Sequence, residues 1–263
     1  LEDFGSSGAL PEHPELLDHL ALRLRDHHQW HLKPFLKELV LSATYRQQHH
    51  ASPAMLERDP RNRLLARGPR QRLTAEMVRD QALKVSGLLS TKMFGPPVYP
   101  PQPDGVWRTV YSGKKWETSK GEDRFRRGIY TYVRRTAGFP GMLTFDAPTR
   151  DLCSARRIPT NTPLQALVTL NDPAHIEFAQ AFAKRMNEKG SDLNAQLKWA
   201  YGELTLKEAA PRTVETLSAL YRDLLVELRD TPEESLKLGS SPEQAAKVMV
   251  ANTLLNSDFA LNR

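Results

Sequence analysis

Five prolines fall between Pro96 and Pro103, inside a stretch that reads MFGPPVYPPQPDGVW from Met93 to Trp107. Proline has no amide hydrogen and a fixed φ, so neither a helix nor a central strand can run through this stretch. Tyr99 and Trp107 give it apolar surface, so the sequence predicts a long extended loop ordered by packing. A strap over helices is the structural version of that loop, and a lid over a site is the functional one. On both sides of it the apolar residues recur with helical period. In residues 14–26 Leu16, Leu17, Leu20 and Leu24 share a stripe, with Pro14 suited to the first turn. In residues 33–46 Phe35, Leu36, Leu39 and Val40 do the same. These two segments predict a helical hairpin with Trp30 at the joint.

Residues 51–72 are rich in Arg and Pro and read as an ordered connector, with turns at Asp59-Pro60 and Gly68-Pro69. Thr74 caps a third helix that runs to about Leu89, with Glu76 in its first turn and Met77, Val78, Leu83 and Val85 on its apolar side. Residues 127–134 alternate as a short strand would, or they open a helix ending near Gly138. Thr162, Pro163 and Gln165 form a capping-box pattern before a stripe of Leu164, Leu167, Val168 and Ile176. Asn171-Asp172-Pro173 kinks or breaks that helix. Residues 193–208, 213–228 and 242–256 follow with helical patterns, the last opened by a second capping box at Ser241–Gln244. The expected fold is mainly α: an irregular multi-helix domain with a long Pro-rich loop and at most a short strand or hairpin. It is read as a single domain, or a fragment of one, over residues 1–263. Residues 1–92 are its helical N-terminal half, 93–160 its Pro/Arg-rich irregular centre and 161–263 its helical C-terminal part.

The hydrophobic fraction, 40%, and the charged fraction, 26%, are those of a globular chain able to bury a core. No apolar run approaches the roughly eighteen residues a membrane span requires. Leu1–Leu10 has neither a basic nor an apolar region of signal-peptide type, and it reads as loop sequence within a longer protein. The single cysteine, Cys153, excludes an internal disulfide, a Cys-x-x-Cys-His haem attachment and a Cys-rich zinc site in this chain.

The net charge of +6 is unevenly spread. Residues 120–160 carry nine basic and four acidic side chains, and eight of the nine are Arg. Planar guanidinium forks suit carboxylates, phosphates and sulfates, and they suit structural ion pairs equally. Arg72, Arg79, Arg127, Arg134, Arg156 and Arg157, with Trp107, are the candidate ligand-binding residues. Nucleic acid is not expected, because few aromatics flank these arginines and no binding module is recognisable.

Three groups could carry chemistry. Seven of eight histidines lie in the first fifty residues, and His27-His28-x-x-His31 has metal-like spacing. It falls at the predicted hairpin turn with no acidic or Cys ligand fixed beside it. Solvated turn histidines are therefore the expectation, and no metal site is predicted. The carboxylates Glu76 and Asp80 sit four residues apart on one helix face, and Asp146 and Asp151 flank a turn at Pro148. Either set could serve acid–base chemistry or ligate a cation, and the plainer reading is salt bridging, with Arg79 beside Glu76 and Asp80, and Arg156 or Arg157 within reach of Asp146 or Asp151. Cys153, near Arg156 and Arg157, is a candidate nucleophile, with a buried apolar cysteine as the plainer reading. Asp146, Glu76, Asp80 and Cys153 are thus the catalytic candidates. No Gly-rich phosphate loop, Gly-x-Ser-x-Gly elbow or His-Glu-x-x-His occurs.

Several blocks taken in order resemble one family. They are His13–Asp18, Leu41–Gln47, Asp59–Leu65, Arg72–Asp80, Gly95–Pro100, Arg127–Tyr130 and Phe145–Asn171. Together they resemble the C-terminal PSD-type domain of unknown function found in planctomycete cytochrome c-associated proteins, over nearly the whole chain. The resemblance implies a large exported protein, hence an extracytoplasmic location, with a cytochrome c-like domain of the same polypeptide as partner. Haem c would then sit in that upstream domain, and no cofactor is expected within this chain. It also implies a neighbourhood of sulfatases and polysaccharide degradation, and so an acidic glycan as a second partner. At His27-His28-Gln29-Trp30-His31 the chain departs from the Ser-Gly-Trp-Asp more usual there. The resulting expectation is an accessory domain serving redox chemistry or complex-polysaccharide processing. A hydrolase or lyase acting on acidic or sulfated polysaccharide is one alternative, and a structural interaction module is another.

Overall fold

A computed structural model describes residues 6, 8–103, 105, 115–154 and 156–262. The architecture is mainly α, as the periodicity predicts. Among the described residues there are twelve α-helices and no strand, only isolated bridges at Arg72–Asn262, Ser90–Arg126 and Val98–Thr131. The chain divides into two compact units, residues 1–71 and residues 72–262.

In the first unit α1 (Pro14–Leu22) runs into a widened π-type turn at Arg23–His27, and α2 (Leu32–Leu41) returns to complete the predicted hairpin. The reversal is made by Gln29 and Trp30, both in the left-handed region at φ 46° and 64°. Trp30 stands at the joint and is largely exposed. The connector after the hairpin contains a helix that the sequence pattern does not announce, α3 (Pro53–Arg58). Pro53 fits its first turn, and Ser52 Oγ accepts from Met55 N. Asp59, the only buried residue among those described in residues 1–71, closes the next turn by accepting from Arg63 N and Leu64 N.

The second unit holds the apolar core. α4 (Ala75–Ser86) starts at Thr74, whose hydroxyl accepts from Met77 N, and stops at Gly87 with φ 77°. That is the conformation glycine adopts without a Cβ penalty. Val78, Leu83 and Val85 are buried as predicted, but Met77 points outward. After the short α5 (Pro140–Thr144) come α6 (Pro163–Asn171) and α7 (Pro173–Asn187), separated at Asp172, which caps α7 through Ala174 N. Phe178, Ala179, Phe182, Ala183 and Met186 form one stripe on α7. They pack with α8 (Leu193–Thr205), α9 (Pro211–Asp230) and α11 (Pro242–Leu255). Ala245, Ala246 and Ala251 keep the surface of α11 low, so neighbouring helices approach closely. Ser241 Oγ accepts from Gln244 N, the predicted cap. α10 (Pro232–Leu238) and α12 (Asp258–Leu261) complete the set.

Two expectations for α6 fail. Thr162 makes no side-chain cap, and Gln165 faces inward, fully buried, donating from Nε2 to Thr144 O at 2.9 Å and Thr160 Oγ1 at 3.3 Å. The leucine stripe is correspondingly turned to solvent, with Leu164 55% and Leu167 57% exposed. On its buried face α6 places Gln165 and Thr169, whose amide NH₂ and hydroxyl groups find hydrogen-bond partners there.

The Pro-rich segment is a strap where it is described. Val98 is buried and exchanges backbone hydrogen bonds with Tyr130 and Tyr132. Tyr99 stacks on Tyr132 at 4.8 Å, and Trp116 stacks on Phe139 at 5.6 Å while donating to Pro100 O. The start of the strap is pinned by Arg126, 1% exposed, which donates to the carbonyls of Lys92, Phe94 and Pro96 and lies 3.7 Å over the Tyr130 ring. Residues 127–134 form one 3₁₀ turn (Gly128–Tyr130) and a bridge, not a strand. Among the described residues no helix is long and apolar enough to cross a membrane.

Candidate functional site

The Arg-rich centre is fastened to α4 by carboxylates. Glu76 in the first turn of α4 takes a bidentate fork from Arg157, at 2.6 and 2.9 Å. One turn further on, Asp80 accepts from Arg127 Nε at 2.8 Å and from Gly128 N. Gly128 is required at that approach, since a Cβ there would stand 2.8 Å from Glu76 Cα. The predicted i, i+4 carboxylate pair therefore exists on one face, and each member holds a different part of the same basic segment. The hydrogen bonds from Arg157 hold the Glu76 carboxyl below its ordinary range, although partial burial opposes this. Glu76 is thus an ion-pair partner and not a proton donor at neutral pH.

Asp146 does not meet Arg156 or Arg157 as the sequence suggested. It sits at φ 58° and accepts from Thr160 N at 2.7 Å and Thr160 Oγ1, closing the loop that carries both arginines. Thr160 in turn accepts from Gln165, so the Asp146–Thr160–Gln165 chain ties Asp146 and Thr160 to α6. Cys153 lies exposed in that loop, so the buried reading fails. Arg156 is also exposed. Arg72 lies over Phe145 at 5.8 Å, and its burial lowers its pKa. Trp107 lies outside the described residues.

Beside the Glu76–Arg157 pair opens a cleft with about 670 Å³ of empty space, part of it continuous with solvent. Its charged lining residues are Glu76, Arg134, Arg135, Arg150 and Arg157, four arginines to one carboxylate. Its floor is apolar, from Ile129, Val133, Phe139, Met142 and Leu143. Arg134 donates from Nε to Thr136 Oγ1 at 3.0 Å, which orients its fork. Of the predicted ligand residues the fold brings Arg134 and Arg157 to this cleft and places Arg127 one turn of α4 away, on Asp80. Arg135 and Arg150 were missed, and Arg150 gains its place by adopting φ 64°, which no sequence pattern announces.

Arg79 points the other way, into the core. It is 6% exposed, lies over Phe178 at 5.8 Å and donates from Nη2 to Arg124 O at 2.8 Å. Burial pushes its pKa down to about 10, so it stays charged at neutral pH. Asp172 and His175 line the same small hollow. Desolvation raises the Asp172 carboxyl, and it pushes His175 down to about 4, helped by the Arg79 charge. Asp172 and His175 were missed because a cap residue and a first-turn histidine look ordinary in sequence. With Arg79 they form a largely buried electrostatic cluster, His175 being partly exposed, that supports the α4–α7 contact.

The fold and site define an all-α domain whose basic segment is clamped to one helix and presents an arginine-lined cleft. The chain belongs to the PSD1 family, described as a protein of unknown function (DUF1553), whose model matches residues 1–221. No curated protein and no solved structure matches it.

Proposed function

We propose that this domain is a binding domain for acidic glycan within a larger exported protein of the cytochrome c-associated type. The observation that carries the reading is the cleft itself, whose lining holds four arginines and one carboxylate, Glu76, which Arg157 already neutralises, leaving the lining with a net positive charge. Guanidinium forks pair with uronate carboxylates or sulfate esters through charge-assisted hydrogen bonds. The apolar floor suits the C–H faces of sugar rings. The hydrolase and lyase readings have less support. Glu76 and Asp80 are tied to arginines, and Asp146 to Thr160, which leaves none of the three poised as an acid–base pair. Export and a haem-bearing partner domain rest on the family resemblance, and the visible spectrum of the full-length product would test them.

The cleft is tested by calorimetric titration with a sulfated or uronate oligosaccharide beside a neutral glucan of equal length. The acidic oligomer is expected to bind, with affinity falling as salt rises. Arg135→Ala with Arg150→Ala should weaken it by about 1.5–3 kcal/mol for each lost charged hydrogen bond. Equal binding of the neutral glucan, or no binding of either, overturns the reading.

A further inference from the structure

The hairpin of the first unit holds a polar cluster that the cleft does not use. The π-type turn at Arg23–His27 and the reversal at Gln29 and Trp30 bring α2 back so that Glu38 meets the histidine pair. His28 Nε2 lies 2.6 Å from Glu38 Oε2, and the His28 side chain is only 9% exposed. Neither the absent acidic partner nor the solvated His28 expected from sequence holds. The His27 ring stands edge-on to His28 with centroids 4.7 Å apart. His31 Nδ1 sits 2.9 Å from His28 O and steadies the loop that carries the pair.

One ligand atom from each of His27, His28 and Glu38 lies within 4.8 Å of the other two. Donors around a tetrahedral zinc ion stand about 3.4 Å apart, given Zn–N and Zn–O bonds of about 2.0–2.2 Å. Small side-chain rotations would therefore let all three face one ion, with the His28–Glu38 contact opening as the ion enters. Two imidazoles and one carboxylate form a borderline donor set that favours Zn²⁺-type ions over Mg²⁺ or Ca²⁺, which prefer all-oxygen sites. Three protein ligands leave a fourth position open. Arg23 forks Glu38 at 3.0 and 2.7 Å. It orients the carboxylate as an outer partner, and its charge moderates the affinity of the site. We propose that His27, His28 and Glu38 bind one Zn²⁺-class divalent ion, with Arg23 as the outer partner of Glu38.

The test titrates the full chain, stripped of metal, with Zn²⁺ in a non-chelating buffer, and repeats it with Co²⁺ while recording the visible spectrum. One ion per chain is expected, with Co²⁺ bands of a four-coordinate nitrogen–oxygen site and no displacement by Mg²⁺. His27→Ala, whose side chain is on the exposed side of the cluster, should lose at least about tenfold in affinity. Glu38→Gln should do the same, with circular dichroism confirming that the helices remain. His49→Ala with His50→Ala should leave the isotherm unchanged. An isotherm that survives His27→Ala and Glu38→Gln, or that disappears in the His49/His50 variant, assigns the binding to other histidines and overturns the site. Absence of binding to the unaltered chain overturns it as well.

Discussion

The hairpin of α1 and α2 and the helix pair α7 and α11 are both helical, yet they are held by different forces. None of the residues of α1 and α2 is buried, whereas α7 and α11 bury six and eight. In the hairpin the specific contacts are mostly polar: Arg23 and His28 on Glu38 and His31 on His28, with His28 edge-on to Phe35. In α7 and α11 they are apolar, with Phe182, Met186, Val248 and Val250 fully enclosed. An amphipathic stripe says which face of a helix is available for burial; it does not say how much surface will cover it.

The sharpest way to break this comparison is to truncate one apolar residue in each region. Phe182→Ala should cost about 3–5 kcal/mol in denaturant unfolding, because nothing can refill its enclosed site. Leu36→Ala on the half-exposed face of α2 should cost less than about 1 kcal/mol. Equal losses would mean that the hairpin stripe is as well covered as the core. Next in size is Gln165→Ala, which leaves Thr144 O without its donor and should cost about 1–3 kcal/mol. Its companion Leu167→Gln, on the outer face of the same helix, should change stability by no more than about 0.5 kcal/mol.

The Arg79–Asp172–His175 cluster gives a pH-dependent version of the same contrast. His175 is held near 4 in the folded protein and returns to 6.5 when unfolded, so the unfolded chain binds the extra proton between these values. The stability due to a neutral His175 is present in full above pH 6.5 and is lost as pH falls toward 4. The melting temperature should decline across that window, and His175→Phe should flatten the decline. Glu76, held below its ordinary 4.5, acts at lower pH, where its pairing with Arg157 is lost as it protonates. The smallest effect is expected at Cys153. Its exposed thiol should react with a disulfide reagent in the native state as fast as in the unfolded chain, and Cys153→Ser should leave unfolding unchanged.

Much of the fold was legible in the sequence because it is written in local chemistry. Thr74 and Ser241-Pro242 mark helix starts and Asn171-Asp172-Pro173 an interruption, since a cap or a proline acts within one turn. The Pro-rich stretch excludes helix and strand for the same local reason. The hairpin, α4 and the mainly α class follow from period alone. What the sequence could not decide is which of several like residues meets which partner. Arg124, Arg126 and Arg127 stand almost side by side, yet one forks Glu177, one is buried under the strap and one binds Asp80. The cleft likewise takes Arg135 and Arg150 and leaves Arg79 in the core, and Glu38 reaches His28 only because the chain reverses at Gln29 and Trp30. Gln165 takes the inner face of α6 and the leucines the outer one, and its partners Thr144 O and Thr160 Oγ1 are brought to it only by the folded chain. Caps and periodicity are settled within a few residues, whereas ion pairs, clefts and the covered face of a helix depend on groups far apart in the chain, and the tertiary structure alone brings those together.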